Sequence, residues 1–329
     1  MSEASAEVNK PLLSIDDAAG VFHRFYGRKP AFVKPLDGFC ALNFFVRVNG
    51  RDGNHVDENM NDSQDSKIFN NFVLKIMNAE DSKEAIYFRT VHSVQKYLSQ
   101  HGLKCVAPIQ NILGDDLSML NMDQFTTELT HKDDNETNQR LHGRFMVRVY
   151  PYMEGTILQN VLPADEIEIF YEAGKLLAEF HKSLESYPGD IGSLKEKPLT
   201  LSLASWSLSE LLKYIDVMKD EKRKELILDV VRKFEDRVLQ RKDVFRKANT
   251  YQLCGVIDFD IAEYNCLIFD VGISMMYMSL SKAAKTNPLK VSAAVLAGYQ
   301  HVNPLTPTEL EVLPRGFSTS ARLQDLLNL

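Results

Sequence analysis

The apolar residues of this chain change their spacing near residue 150, and that change limits what it can fold into. Before it, short runs rich in β-branched and aromatic residues alternate with turn-forming stretches. Leu42-Asn43-Phe44-Phe45-Val46-Arg47-Val48 reads as a strand, and Asn49-Gly50-Arg51-Asp52-Gly53-Asn54 after it is turn chemistry. Phe72-Val73-Leu74-Lys75-Ile76 is a second strand. Cys105-Val106-Ala107-Pro108-Ile109 opens another strand region, and Phe145 to Tyr150 is a further strand. Between them, Ala85, Phe88, Val91, Val94 and Leu98 repeat at helical spacing. Two polar insertions, one ending near Ser66 and one over Thr130 to Arg140, read as loops.

Beyond residue 150 the period becomes that of helices. Ile167, Phe170, Gly174, Leu177, His181 and Leu184 lie on one face of a helix that starts near Asp165. Further helical patterns cover Leu208 to Met218, Glu221 to Leu239, Ser274 to Lys282 and Val291 to Gln300. The expected architecture is α+β: a small β-rich lobe over 1–150 and a helical lobe over 151–329, joined near Pro151 to Gly155. A length of 329 residues suits two such units.

Composition excludes several function classes. The formal net charge is −7 and no basic patch stands out, so no nucleic-acid partner is expected. No run nears the roughly 18 apolar residues that a membrane helix needs, so no membrane partner is expected either. Met1 to Glu7 is acidic and small, without the basic and apolar regions of a secretory signal. Cys40, Cys105, Cys254 and Cys266 fit neither a disulfide framework nor a zinc site. A reducing, cytoplasmic setting follows as the expectation.

Two charged residues stand in apolar strand contexts. Asp258 ends Leu253-Cys254-Gly255-Val256-Ile257-Asp258-Phe259, with Asp260, Glu263 and Asp270 following. A carboxylate there is costly unless it is paired or binds a metal. It reads as a magnesium ligand of a phosphotransferase or, equally simply, as a capping aspartate after a core strand. The later three acids read as solvated or capping groups at least as readily. Lys75 reads as a phosphate-binding lysine, or as an edge residue whose head reaches solvent. The order along the chain favours the first reading of both: strand lysine, helix, strand, the segment Tyr150-Pro151-Tyr152-Met153-Glu154-Gly155, helical lobe, aspartate.

On these residues the chain resembles the aminoglycoside phosphotransferase and choline kinase-like family, and most of all its hydroxylysine kinases. Asn43, Lys75, Val147-Arg148 through Gly155, Glu172 to Ala178 and Gly255 to Phe259 carry the likeness. So do Ile273-Ser274-Met275-Met276-Tyr277-Met278, Val295-Leu296-Ala297-Gly298-Tyr299 and Pro304-Leu305-Thr306. The resemblance implies a protein kinase-like two-lobe fold and transfer of a nucleotide γ-phosphate, with GTP as donor, to the hydroxyl of the small amino substrate 5-hydroxylysine. It places the nucleotide against Asn43, Lys75, Tyr150, Pro151, Tyr152 and Met153, and a magnesium ion on Asp258.

The chain also departs from that pattern. The family's catalytic loop, His-Gly-Asp-x-x-x-x-Asn, is absent: His101-Gly102 and His142-Gly143 continue with Leu103 and Arg144. Pro188-Gly189-Asp190 lies too early and has Lys195 where the asparagine belongs. Only three residues separate Lys247 from Tyr251, where the family places a loop, a strand and a turn. Without the loop, no residue is assigned as the catalytic base or the second metal ligand. Deleting that strand would also take a pairing partner from 253–259. Arg89 aligns with the helix glutamate that pairs with the strand lysine in kinases, and Glu84 lies five residues earlier. Asp260 replaces the usual glycine after Asp-Phe, and beyond Thr308 the likeness to the family's C-terminal helices fades into the turn-like 313–320. The expectation is an impaired hydroxylysine kinase-like phosphotransferase. The alternatives are a non-catalytic pseudokinase that binds nucleotide or a protein partner, and a kinase for another small amino alcohol.

Overall fold

The computed structural model describes residues 10–38, 41–49, 70–123, 143–156, 167–195, 212, 215–237, 239–245, 247–251, 262–280 and 287–313. Two compact units make up the chain. One takes Met1–Lys96, Val106–Met153 and Leu199–Leu201, and the other takes Tyr97–Cys105, Glu154–Pro198 and Ser202–Leu329.

The first unit opens with helix α1 (Ile15–Tyr26). The Ser14 hydroxyl accepts the Asp17 N–H, and the Asp17 carboxylate accepts the Ser14 N–H, so two otherwise orphaned donors are met at its start. Gly27 ends it in the left-handed region at φ 68°. Strands β1 (Pro30–Leu36), β2 (Ala41–Val48), β3 (Asn71–Met77), β4 (Ser118–Asn121) and β5 (Arg144–Pro151) form one sheet in the order β1-β2-β3-β5-β4. Every pairing is antiparallel. On one face Phe44, Val46, Phe72, Leu74, Ile76, Val147 and Val149 close over Ala18, Val21 and Phe22 of α1. Helix α2 (Ala85–Gln100) buries Phe88, Val91, Val94 and Leu98, the stripe that its periodicity indicates.

No strand forms over 105–109, contrary to the sequence expectation. Pro108 has no N–H to give a ladder, and the Ile109 N–H makes a single 2.8 Å bond to the Val149 carbonyl. The strand comes later, as β4. The polar insertions over 50–69 and 124–142 lie outside the described residues.

In the second unit, α3 (Ile167–Glu185) buries Phe170, Gly174, Leu177, Ala178, Phe180, His181 and Leu184. It is followed by α4 (Glu221–Arg237), the strand pair β6 (Lys247–Tyr251) and β7 (Ala262–Cys266), α5 (Leu267–Leu280) and α6 (Pro288–Val302). Most of the helical pattern over 208–218 lies outside the described residues; its end, Ile215–Val217, is a single 3₁₀ turn. Helix α5 starts seven residues before its sequence-indicated position, and its first turn buries Leu267, Ile268 and Asp270. The join between Lys247 and Tyr251 is itself the strand β6, paired antiparallel with β7. Residues 307–313 are helical, started by Thr306 and Glu309, whose side chains and backbone N–H groups cap one another. Helices α3 and α6 pack closely, because a Cβ at Gly174 would run into the Val295 carbonyl and one at Gly298 into the Tyr171 carbonyl. No helix among the described residues is long and apolar enough to cross a membrane.

Candidate functional site

Lys75 lies on β3, the central strand of the sheet, so it is not an edge residue. The period of two sends Phe72, Leu74 and Ile76 to the α1 face and turns Val73 and Lys75 to the other. Register then sets its neighbours: Asn43 of β2 stands directly opposite on one side and Arg148 of β5 on the other. The next row on this face is Phe45, Val73 and Tyr150. The Phe45 ring meets Tyr152 edge-on at 4.9 Å between centroids. This face therefore has a polar row, in which Lys75 is half-buried and Arg148 fully buried, beside an aromatic and apolar one.

The Asn43 amide donates to the Asp37 carbonyl at 2.9 Å, which ties the β1–β2 connection to the strand. Its Oδ1 is buried, and no donor among the described residues meets it. Tyr150 is buried, and its hydroxyl lies 3.0 Å from both Arg148 Nη1 and His92 Nε2. Pro151 pairs with Phe72 and has no N–H to offer. The Tyr152 N–H is committed to the Asn71 carbonyl at 2.9 Å. Tyr152 is the first residue past β5, and Met153 follows it with an exposed side chain. Asp258, with Asp260, lies outside the described residues. Among the described residues no group of three or more His, Cys, Asp or Glu side chains could hold a metal ion.

The helix partner of a kinase lysine is absent from α2, which contains no aspartate or glutamate at all. Arg89 is exposed and reaches Asp115 at 3.4 Å, in the segment that follows α2. Glu84 precedes α2 as the residue that ends the 3₁₀ turn Asp81–Lys83. Toward the sheet α2 presents Phe88, His92 and Gln95 instead, all buried. The Arg148 guanidinium lies 4.4 Å from the Phe88 ring centroid, and Nη2 approaches Met77 Sδ at 2.8 Å. Sequence reasoning quoted Arg148 without giving it a role and passed over His92. The available signal was an arginine inside an otherwise apolar run, Phe145 to Tyr150.

In the second unit Asp270 is neither solvated nor a surface cap: it is buried, with Oδ2 3.1 Å from His181 Nε2. His181 Nδ1 lies 2.8 Å from the buried Tyr299 hydroxyl. These three residues close a polar core between α3, α5 and α6.

Comparison with known proteins completes the picture. No family model matches the chain. It is 27% identical to hydroxylysine kinase of Xenopus laevis over 337 residues, spanning 94% of this chain and 80% of the relative. Against hydroxylysine kinase of Bos taurus it is 26% identical over 330 residues, spanning 93% and 79%. The chain is thus similar in sequence to hydroxylysine kinases over most of its length. Its alignment with the Xenopus protein is longer than the chain itself, so the relative carries positions with no counterpart here. Among solved structures, an amicoumacin kinase in complex with AMP-PNP, Ca²⁺ and Ami superposes with a TM-score of 0.62 at 17% identity, covering 96% of this chain and 86% of that one. A microcompartment-associated aminopropanol kinase gives 0.60 at 12% identity, covering 94% and 87%. The fold is thus α+β, the two-lobe kinase-like fold of the aminoglycoside phosphotransferases.

Proposed function

We propose that this chain is a hydroxylysine kinase-type protein that binds a purine nucleotide on the Lys75 face of its first unit and transfers phosphate poorly. The observation that carries the reading is Lys75 on the central strand, flanked in register by Asn43 and Arg148 and next to the Phe45–Val73–Tyr150 row. In it, Lys75 holds nucleotide phosphates, and the base lies against Val73, Phe45 and Tyr152. Of the segment Pro151, Tyr152 and Met153, Met153 is the residue whose backbone pairs with the base. Asp258 is assigned to magnesium, which would neutralise phosphate charge when bound. GTP is the proposed donor, 5-hydroxylysine the proposed acceptor and the cytoplasm the proposed setting; the curated relatives support the acceptor class.

Weak transfer rests on the missing His-Gly-Asp-x-x-x-x-Asn loop. Losing a positioned general base costs about 10²–10⁴ in rate. The test is the melting temperature of the purified chain with GTP or ATP and magnesium, beside GTP consumption with 5-hydroxylysine. The expected result is nucleotide-dependent stabilisation, with turnover at least about a hundredfold below that of an intact hydroxylysine kinase. Turnover equal to that of the intact enzyme overturns the impairment, and absence of any nucleotide shift overturns the binding reading. Stabilisation without any turnover favours the second reading, a pseudokinase, which the missing loop also supports.

A further inference from the structure

Beyond the Phe45–Val73 row, the same sheet face continues with Phe32 of β1, Arg47 of β2 and Asn71 of β3, in register. Asn71, Val73 and Lys75 share this face because they alternate with the residues turned to α1. Phe32 and Arg47 are exposed. The Arg47 guanidinium is held in place on this surface. Its Nε donates to the Asn71 side-chain carbonyl at 3.2 Å. Its central carbon lies 5.6 Å from the Phe45 ring centroid and 6.0 Å from that of Phe32, within the reach of cation–π attraction. Asn71 joins this group to the segment after β5, since its backbone carbonyl takes the Tyr152 N–H at 2.9 Å. Arg47 thus stands beside Tyr152 and one row from Val73, the two residues with exposed or half-buried surface against which the base is proposed to lie.

An arginine side chain carries N–H donors in a fixed plane and no acceptor. Guanine presents two neighbouring acceptors, O6 and N7, which such a fork meets together. Adenine has an amino donor in the place of O6, so the same fork faces a donor there. We propose that Arg47 is a specificity-determining residue that selects guanine over adenine nucleotides, donating from Nη1 and Nη2 to O6 and N7 of a base seated beside Tyr152. Its Nε is spent on Asn71, and that bond together with the Phe45 and Phe32 contacts presets the plane of the fork. Lys34, exposed on the same face with Nζ 5.4 Å from the Phe45 centroid, is a second side chain there that only donates. This inference rests on the nucleotide-binding reading and adds the residue that chooses the base.

Arg47→Lys keeps the charge and removes the planar fork, and Arg47→Gln removes both. Binding of GTP and of ATP, each with magnesium, is measured by calorimetry for the wild type and both variants, with circular dichroism to verify the fold. The wild type is expected to prefer GTP by roughly tenfold, the scale of one bidentate contact to guanine. In both variants GTP affinity is expected to fall until that preference is within about twofold, with ATP affinity itself held within about twofold. A wild type that binds both nucleotides equally overturns the inference and leaves the nucleotide-binding reading standing. A GTP preference kept in either folded variant overturns it too. So does an equal loss for GTP and ATP in Arg47→Gln that Arg47→Lys restores, which marks attraction by charge alone. A wild type that binds neither nucleotide overturns the nucleotide-binding reading, and this inference with it.

Discussion

Side chains that pattern reading treats as solvated or unremarkable hold several of the decisive contacts. Asp270 is one: in sequence it is a polar residue in a hydrophobic helix, and in the fold it orients His181 against Tyr299. Tyr299→Phe is expected to lower unfolding free energy by about 1 kcal/mol, the net worth of one buried hydrogen bond, as read by urea titration. A value near zero would mean that the hydroxyl contributes nothing to this core. Cys105 is a second case. Burial pushes its thiol up from 9.0 to about 11, so at pH 8 roughly a thousandth of it is thiolate. It should resist alkylation in the native protein and react only on unfolding, which mass spectrometry after a timed iodoacetamide pulse would reveal. Because the folded thiol holds its proton more tightly, the stability this burial contributes is full below pH 9 and is lost as the pH rises through 11.

At the scale of elements, the α3–α6 crossing explains two short motifs that carried the family resemblance before they had a physical meaning. Gly174 and Gly298 face each other's helix backbones, and the space for a methyl group is occupied by carbonyl oxygens of Val295 and Tyr171. A backbone cannot rotate aside as a side chain can, so the helices must part. Gly298→Ala should cost about 3 kcal/mol, even though alanine is the better helix former by about 1. A thermal melt that is unchanged or raised would refute the close crossing. Helix α2 shows the opposite limit of pattern reading. Its apolar stripe was plain from spacing, yet that Phe88 of this stripe covers Arg148 was decided only by where β5 places the arginine.

For the whole molecule, the consequence lies at the join between Lys247 and Tyr251, where five residues make strand β6. Insertion there of the catalytic segment of an intact hydroxylysine kinase should raise GTP consumption by about a hundredfold or more, the worth of a positioned base. A folded graft with no gain would overturn the reading that the missing loop limits transfer. The strand and helix patterns around β2, β3, β5, α2, α3 and α6 were legible because each buries a regular face, and regular burial writes a period into sequence. The expected strand over 105–109 failed because Pro108 breaks the ladder, a matter of one missing N–H. Strands β6 and β7 were missed because Lys247–Tyr251 and Ala262–Cys266 are short and polar, with no run of alternating apolar residues to read.

By itself the amino-acid sequence determined the α+β composition, the order of strand lysine, helix and helical lobe, and the absence of a His-Gly-Asp loop. All of these depend on neighbours close along the chain. Only the tertiary structure decided what stands beside Lys75 and Asp270, because strand register and helix crossing bring together residues far apart in the chain. Asn43, Lys75 and Arg148 form one row, and His181, Asp270 and Tyr299 form one buried network. Local patterns record which face of an element is buried. They carry no record of which side chain lies across from it, and the charge at that position decides what the site can hold.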